Sequence, residues 1–344
     1  MTRELAPLIE LSSRIGRDLD LVQAGGGNTS VKDGDTVWVK ASGKWLAHAA
    51  DDEMFVPAPL SDILRYLEQG RDYTVEQKTP SGAALRPSVE SAMHAVLPHR
   101  VVIHVHSVRT ISWSVRTNPE NALDARLESL RWEWIPYIHP GWPLARSIQE
   151  RLRSRPDVLV LGNHGLVVGA DDCDSAESLL RDVEQRLDTK ASAGSEPDAS
   201  GLERLAEGTE WRMPNNPEVH ALGTNRSFCD IASQGTMYPD HCVYLGPAVA
   251  VLRDGESIND AVIRYQQRYD YEPAVLLVAG MGVLISKRLS LSGAQLLICL
   301  KRVVERIAPE EGVHYLEDMD VARLMNWDAE KYRIAMSAQQ SGPV

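Results

Sequence analysis

Two apolar segments constrain the fold of this chain more than any other feature. Residues 158–169, VLVLGNHGLVVG, are apolar on both sides of a Gly-Asn-His-Gly interruption, which is typical of two buried strands joined by a tight turn. Residues 101–106, VVIHVH, predict another strand. Helical patterns around these strands are predicted over residues 5–22, 61–69, 88–97 and 174–187. We therefore predict a layered α/β domain in this part of the chain.

Two glycine-containing turns flank a predicted hairpin. The run Gly25-Gly26-Gly27-Asn28-Thr29-Ser30 leads into strands 29–32 and 37–40, which turn at Asp33-Gly34, and Ser42-Gly43-Lys44 follows. Backbone N–H groups and small hydroxyl donors at such turns can surround an anion. Glycine turns are most often purely structural, but these two, together with Ser88 at a helix start, predict a phosphate cradle.

The later part of the chain is predicted to form a linker and a second domain. Residues 190–202, KASAGSEPDASGL, are small and polar, and a second α/β domain is expected to begin near residue 215. Its predicted elements are strands 242–245 and 248–252, helix 257–268, a strand pair within 274–286, helix 292–307 and a short helical tail. An offset of 117 residues aligns 275–297 with 158–180 and sets Met281 opposite His164. A degenerate repeat and a chance likeness both fit this alignment.

Composition restricts the partners. The 344 residues include 43% hydrophobic and 24% charged residues and carry a formal net charge of −12, which disfavours nucleic acid and anionic membrane surfaces. No apolar run approaches the roughly 20 residues that span a bilayer, and the first 20 residues are charged throughout, so a cytoplasmic protein is expected. The four cysteines are scattered as reduced thiols would be. Any metal must therefore be held mainly by histidine and carboxylate.

The histidines of the two apolar segments are candidate metal ligands. His104 and His106 are two residues apart on a strand, so both side chains leave the same face. His164 lies in the Gly-Asn-His-Gly turn, and catalytic zinc sites keep three protein ligands and an open position. Glu90, just before the His-x-His strand, is a candidate fourth ligand or general base. The alternatives are an ordinary turn histidine and a solvated helical glutamate.

Several segments together resemble the class II aldolase/adducin family, which includes the fuculose and rhamnulose phosphate aldolases. The similarity runs over roughly residues 5–188 and is carried by GGGNTSVK, VKASGK, PSVESAMHAVLPHRVVIHVHS, WIPYIHPGWPLA and VLVLGNHGLVVGA. It implies a three-layer α/β fold with a largely antiparallel central sheet. It also implies Glu90 as the catalytic carboxylate, His104, His106 and His164 as zinc ligands, and Gly27, Asn28, Ser42, Gly43 and Ser88 as the phosphate-binding residues.

The sequence departs from the family pattern at several points. Val89 stands where fuculose-type enzymes usually have a second serine, which removes one donor from the phosphate site. The form of the glutamate motif and the later segment PDHCVYLG are closer to the aldolase half of bifunctional rhamnulose phosphate aldolase/alcohol dehydrogenases, but no G-x-G-x-x-G fingerprint follows. A proton-handling tyrosine comes from a neighbouring subunit in family aldolases, and Tyr137 is a candidate for it here.

These observations lead to one main expectation and its alternatives. We expect a catalytic domain over residues 1–189, a linker over 190–214 and a smaller α/β domain without metal over 215–344, in a homo-oligomer. The expected reaction is zinc-dependent cleavage of a ketose 1-phosphate, or a related phosphorylated hydroxy-ketone, to dihydroxyacetone phosphate and an aldehyde through a metal-stabilised enediolate. Another divalent metal can replace zinc in this scheme. The alternatives are a sugar phosphate epimerase, dehydratase or decarboxylase of the same family, and a non-catalytic adducin-like binding module.

Overall fold

The chain forms two compact units. A computed structural model describes residues 5–76 and 85–338. The first unit contains the chain up to Ser114, then Asn118–Asp188, and finally the C-terminal stretch from Trp327. The second unit contains Val115–Thr117 and Thr189–Asn326. Within the described ranges, no helix has both the length and the apolar character needed to cross a bilayer.

The first unit is built on a seven-stranded sheet. Its strands are β1 (Asn28–Asp33), β2 (Thr36–Lys40), β3 (Phe55–Pro59), β4 (Val101–Val105), β5 (Trp132–Ile135), β6 (Val158–Leu161) and β7 (Gly165–Ala170). Its helices include α1 (Leu5–Gly16), α2 (Leu60–Glu68), α3 (Tyr73–Glu76), α4 (Ser91–Val96), α5 (Val108–Ser114), α6 (Glu120–Leu127), α7 (Trp142–Arg151) and α8 (Cys173–Arg186). The strand order is β3-β2-β1-β4-β7-β6-β5, and only the β5–β6 pair is parallel.

Alternation along β4 separates two apolar cores. Val101, Ile103 and Val105 pack in one core with residues of α1, α6 and α8. Val102 belongs to the opposite core, which residues of α2, α4 and α7 complete. Helices therefore cover both faces of the sheet, which confirms the three-layer fold. Because side chains alternate along a strand, His104 lies on the face that α4 covers.

The second unit has a smaller sheet. Its elements are α9 (Ala199–Ala206), β8 (Trp211–Arg212), α10 (Ala221–Thr224), α11 (Arg226–Ser233), α12 (Pro239–Leu245), β9 (Ala250–Leu252), α13 (Ile258–Tyr269), β10 (Val275–Val278), β11 (Gly282–Ser286), α14 (Leu291–Val304) and α15 (Asp318–Asn326). The strand order is β8-β11-β10-β9. The last helix of the chain, α16 (Asp328–Ala338), belongs to the first unit.

Some predicted elements are wrong or displaced. The strand expected at 242–245 is part of helix α12, whose first residue, Pro239, suits the start of a helix, and a short apolar run does not distinguish strand from helix. Helix α9 begins inside the segment expected to be a linker, because Asp198 caps its first turn and Leu202 is buried. Helix α1 ends at Gly16 instead of residue 22.

Candidate metal centre

Strand β4 positions two of the predicted ligands. His104 is fully buried and pairs in register with Asn28 on β1 and Val167 on β7. Its Nδ1 lies 3.0 Å from the carbonyl oxygen of Leu166. A carbonyl oxygen only accepts, so Nδ1 carries a proton, and Nε2, on the side of Glu90, is the nitrogen left to bind a metal ion. His106 follows the end of the strand, and its ring centroid is 5.0 Å from that of His104.

The tight turn between β6 and β7 supplies the third histidine. The N–H of His164 donates to the carbonyl oxygen of Leu161 at 3.2 Å, and Asn163 before it has a φ of 52°. A side chain at Gly165 would collide with the carbonyl oxygen of Val105. The glycine therefore lets β7 approach β4 closely, which brings the His164 ring to within 4.9 Å of the His104 ring, centroid to centroid.

Glu90 completes the cluster from the other side. It immediately precedes α4, which starts at Ser91, so the helix begins later than the predicted residue 88. The carboxylate is buried, with Oε2 3.4 Å from His104 Nε2 and Oε1 3.4 Å from His164 Nε2. Burial by itself would raise the pKa of Glu90, but attraction to the three histidines and the hydrogen bond from Asn28 outweigh it. The pKa is lowered, and Glu90 is ionised at neutral pH.

These four residues have the dimensions of a metal site. One ligand atom from each of Glu90, His104, His106 and His164 can be chosen so that all lie within 4.8 Å of one another. Ligands about 2.0–2.1 Å from a tetrahedral zinc ion are about 3.4 Å apart. The two Glu90–histidine distances already have this value, and three imidazoles with one carboxylate are a donor set that zinc binds. The residues present therefore fit a divalent metal ion.

Asn28, predicted to bind phosphate, hydrogen-bonds to Glu90. Its Nδ2 is 2.8 Å from Glu90 Oε2 and 3.2 Å from Ser88 Oγ, and its Oδ1 contacts His94 Nε2. The other ring nitrogen of His94 lies 2.7 Å from Ser30 Oγ. Sequence reasoning gave His94 no role and placed Ser30 only in the glycine-containing run that was expected to surround an anion. The signal available for them was spacing alone, since His94 is four residues after Glu90 and Ser30 is two after Asn28.

The two glycine-containing turns are joined by a buried lysine. The side chain of Lys40, at the end of β2, is 1% exposed. Its ammonium donates to the carbonyl oxygens of Gly25 at 2.8 Å, Gly26 at 3.4 Å and Lys44 at 2.8 Å. One cation therefore fixes both turns, and sequence reasoning did not single it out.

The remaining predicted phosphate residues lie along these turns. Gly27 packs against the carbonyl oxygen of His104, at the edge of the metal centre. Ser42 and Ser88 lie on adjacent segments, because Ala41 and Pro87 form a bridge and the N–H of Ser88 donates to the carbonyl oxygen of Lys40. Gly43 has a φ of 78°, and a side chain there would collide with helix α16.

Helix α16 covers the second turn. The indole N–H of Trp45 donates to Ser337 Oγ at 2.7 Å, and the Arg86 guanidinium lies 4.6 Å from the Tyr332 ring centroid. Just before the helix, the ring of Trp327 lies 4.6 Å from that of His139. The C-terminal end of the described chain thus forms part of the unit that carries the metal centre.

Known proteins are similar to the part of the chain that carries the metal centre. The family model described as "Class II Aldolase and Adducin N-terminal domain" matches residues 7–190. The chain is 28% identical over 209 residues to YuxG of Bacillus subtilis (strain 168), which is described as an uncharacterized oxidoreductase. That match covers 53% of this chain and 29% of YuxG, so the chain spans less than a third of its relative's length.

Two solved structures are similar to the same half of the chain. The N-terminal class II aldolase domain of a conserved protein from Thermoplasma acidophilum is 27% identical, with 54% of this chain and 93% of that chain covered and a TM-score of 0.47. L-Fuculose-1-phosphate aldolase from Thermus thermophilus is 21% identical, with 53% and 92% covered and a TM-score of 0.38. Since the family model spans more than half of its residues, this chain belongs to the class II aldolase and adducin family.

Proposed function

We propose that the chain is a zinc-dependent aldolase that cleaves a ketose 1-phosphate, or a related phosphorylated hydroxy-ketone, to dihydroxyacetone phosphate and an aldehyde. The observation that supports this most is the buried cluster of Glu90, His104, His106 and His164, whose ligand atoms lie within 4.8 Å of one another. A binding module has no need to bury a carboxylate among three imidazoles, because taking these groups out of water is costly without a metal ion or a reaction to use them.

The side chains around the cluster have separate tasks in this proposal. Zinc, when bound, would supply a Lewis acid that stabilises negative charge developing on substrate oxygens. His104 keeps its ligand nitrogen available by donating its other N–H to Leu166. Glu90 is ionised, lies beside the ligand nitrogens and moves the proton at the substrate carbon next to the carbonyl group.

The phosphate group is assigned to the neighbouring turns. The hydroxyl groups of Ser42 and Ser88 and the backbone N–H groups at Gly27 and Gly43 are the donors in this proposal. The buried ammonium of Lys40 adds a positive charge behind both turns, which favours an anion nearby. We propose residues 1–189 as the catalytic domain and a homo-oligomer as the active form, because the resemblance implies a proton-handling tyrosine from a neighbouring subunit.

Metal content and product analysis together test the proposal. The purified protein is expected to hold about one zinc per chain and to release dihydroxyacetone phosphate from at least one member of a panel of phosphorylated ketoses. The matched control is the same ketose without its phosphate, which should react far more slowly. Release of pyruvate or CO₂, or epimerisation of the substrate, would assign the site to another reaction of the family. Absence of zinc after metal-supplemented purification would favour a binding module and contradict the proposal.

A further inference from the structure

We propose that His94 is a positioning residue whose Nε2–H tautomer fixes the amide of Asn28 and, through it, the carboxylate of Glu90. His94 is fully buried and lies on α4, four residues after Glu90. Asn28 and Ser30 lie two residues apart on β1 and so face the same side of the sheet. Since His94 acts through Glu90, its role in turnover rests on the function proposed above.

The orientation of the Asn28 amide follows from its contact with Glu90. A carboxylate that ligates a metal ion is deprotonated and only accepts hydrogen bonds, so the atom 2.8 Å from Glu90 Oε2 is the amide nitrogen. The same nitrogen is 3.2 Å from Ser88 Oγ. The amide oxygen of Asn28 therefore faces His94.

The orientation of the Asn28 amide determines the tautomer of His94. An amide oxygen also only accepts, so His94 Nε2 must carry a proton and donate it to Asn28. His94 Nδ1 then accepts from the hydroxyl group of Ser30 at 2.7 Å. Burial, followed by repulsion from His104, lowers the pKa of His94 to about 3, which agrees with a neutral ring holding a single N–H.

The resulting hydrogen bonds all point toward one carboxylate. Ser30 donates to His94, His94 to Asn28 and Asn28 to Glu90, so each dipole strengthens the next and favours the ionised carboxylate. A flipped Asn28 amide would place oxygen against Glu90 Oε2 and N–H against N–H at His94. In its Nε2–H tautomer His94 therefore disfavours the flipped amide and helps to hold Glu90 at 3.4 Å from the His104 and His164 nitrogens.

Three substitutions separate positioning from packing. In His94→Gln the side-chain amide can reach the place of Nε2 and still donate to Asn28. In His94→Asn the shorter amide reaches only the place of Nδ1, near Ser30. His94→Leu fills the space without any hydrogen bond. His314→Gln, at an exposed position of the second unit, is the matched control.

Three measurements on the zinc-loaded full-length chain test the proposal. The first is the ring ¹⁵N NMR signature of His94 at pH 7, which is expected to show a protonated Nε2 and an unprotonated Nδ1. The second is zinc affinity in competition with a chelator, expected to fall about 10–100-fold in His94→Leu and His94→Asn and to recover in His94→Gln. The third is kcat for release of dihydroxyacetone phosphate, expected to fall in the same order with KM nearly unchanged.

The outcomes separate this proposal from the proposed function. An Nδ1–H tautomer or an imidazolium at pH 7 would overturn the role of His94. Equal zinc affinities in the leucine and glutamine variants would overturn it as well, and if the leucine variant does not fold, the asparagine and glutamine variants make the same comparison. A wild-type protein that binds zinc, shows the Nε2–H signature and cleaves no phosphorylated ketose would instead refute the aldolase assignment and leave the positioning role supported.

Discussion

The contact between helix α16 and the Ser42-Gly43-Lys44 turn leads to a prediction about two glycines. A Cβ atom at Gly43 would lie 2.5 Å from Met336 Cβ and 2.9 Å from the carbonyl oxygen of Arg333. A Cβ atom at Gly34, in the β1–β2 turn, would meet no described atom within 4 Å. Both glycines have positive φ, 78° and 57°. Gly34→Ala therefore isolates the cost of the backbone conformation, and Gly43→Ala adds the cost of the collision.

The expected losses in the free energy of unfolding differ between the two variants. A left-handed backbone costs a non-glycine residue roughly 1–2 kcal/mol, which applies to both variants. Overpacking against a backbone atom adds about 1–3 kcal/mol at Gly43 only. For a unit of this size, 1 kcal/mol shifts the thermal midpoint by about 2–4 °C, so Gly43→Ala should melt roughly 2–12 °C below Gly34→Ala.

Limited digestion with trypsin shows where the strain is released. If Gly43→Ala is relieved by undocking of α16, cleavage at Lys331 or Arg333 should become faster in that variant, while Gly34→Ala should be cut at the wild-type rate. Equal thermal midpoints for the two variants, with unchanged cleavage, would show that α16 does not restrict the turn.

Three further predictions concern the metal centre and a buried histidine. His104→Ala or His164→Ala should lose both zinc and turnover while the metal-free variant still unfolds in a cooperative transition, and full zinc occupancy in His164→Ala would contradict the ligand assignment. Glu90→Gln keeps the three histidines, so it should still bind zinc, although with lower affinity, and at saturating zinc it should lower turnover by on the order of 10²–10⁴; unchanged turnover would show that Glu90 moves no proton. In the second unit, burial lowers the pKa of His241 to about 3, and its Nδ1 accepts from the Met237 N–H at 3.3 Å. In the unfolded chain His241 binds a proton below about pH 6.5, whereas in the folded protein it does not. The free energy of unfolding should therefore fall by about 1.4 kcal/mol per pH unit on acidification toward pH 3. His241→Asn keeps an acceptor for the Met237 N–H without a titrating group. Its free energy of unfolding, measured with denaturant between pH 7 and 4.5, should therefore fall less steeply with pH than that of the wild type, and an equally steep fall would refute this.

Local spacing was sufficient to predict the elements that carry the metal centre. The Asp33-Gly34 turn marks the β1–β2 hairpin, and the apolar alternation around His104 marks β4. The same alternation predicts that His104 and His106 leave one face. The structure brings these two residues together with His164 and Glu90, although they come from three separate segments.

Other features depend on contacts that spacing does not encode. Strand β3, Phe55–Pro59, contains two prolines and lies at the edge of the sheet, where proline is tolerated. The prolines interrupt the sequence pattern from which a strand would be predicted. Strand β5 has four residues at the opposite edge, too few to show a period. The hydrogen bond from Trp45 to Ser337 joins residues 292 positions apart. Nothing near either residue in the sequence indicates that α16 returns to this turn.

The second unit shares more with the first than an apolar pattern. In the first unit, β5 is parallel to β6, β6 is antiparallel to β7, and α8 follows. In the second, β9 is parallel to β10, β10 is antiparallel to β11, and α14 follows.

The turns between the antiparallel strands also agree. His164 N–H donates to Leu161 in one, and Met281 N–H donates to Val278 in the other, at positions related by the offset of 117 residues. A helix also connects the two parallel strands in each unit, α7 in the first and α13 in the second. A chance likeness of two strand-turn-strand-helix segments requires neither the preceding parallel strand and its connecting helix nor the same turn hydrogen bond. We therefore propose that the second unit is a degenerate copy in which Met281, a poor zinc ligand, replaces the metal-binding histidine while the scaffold around it is retained.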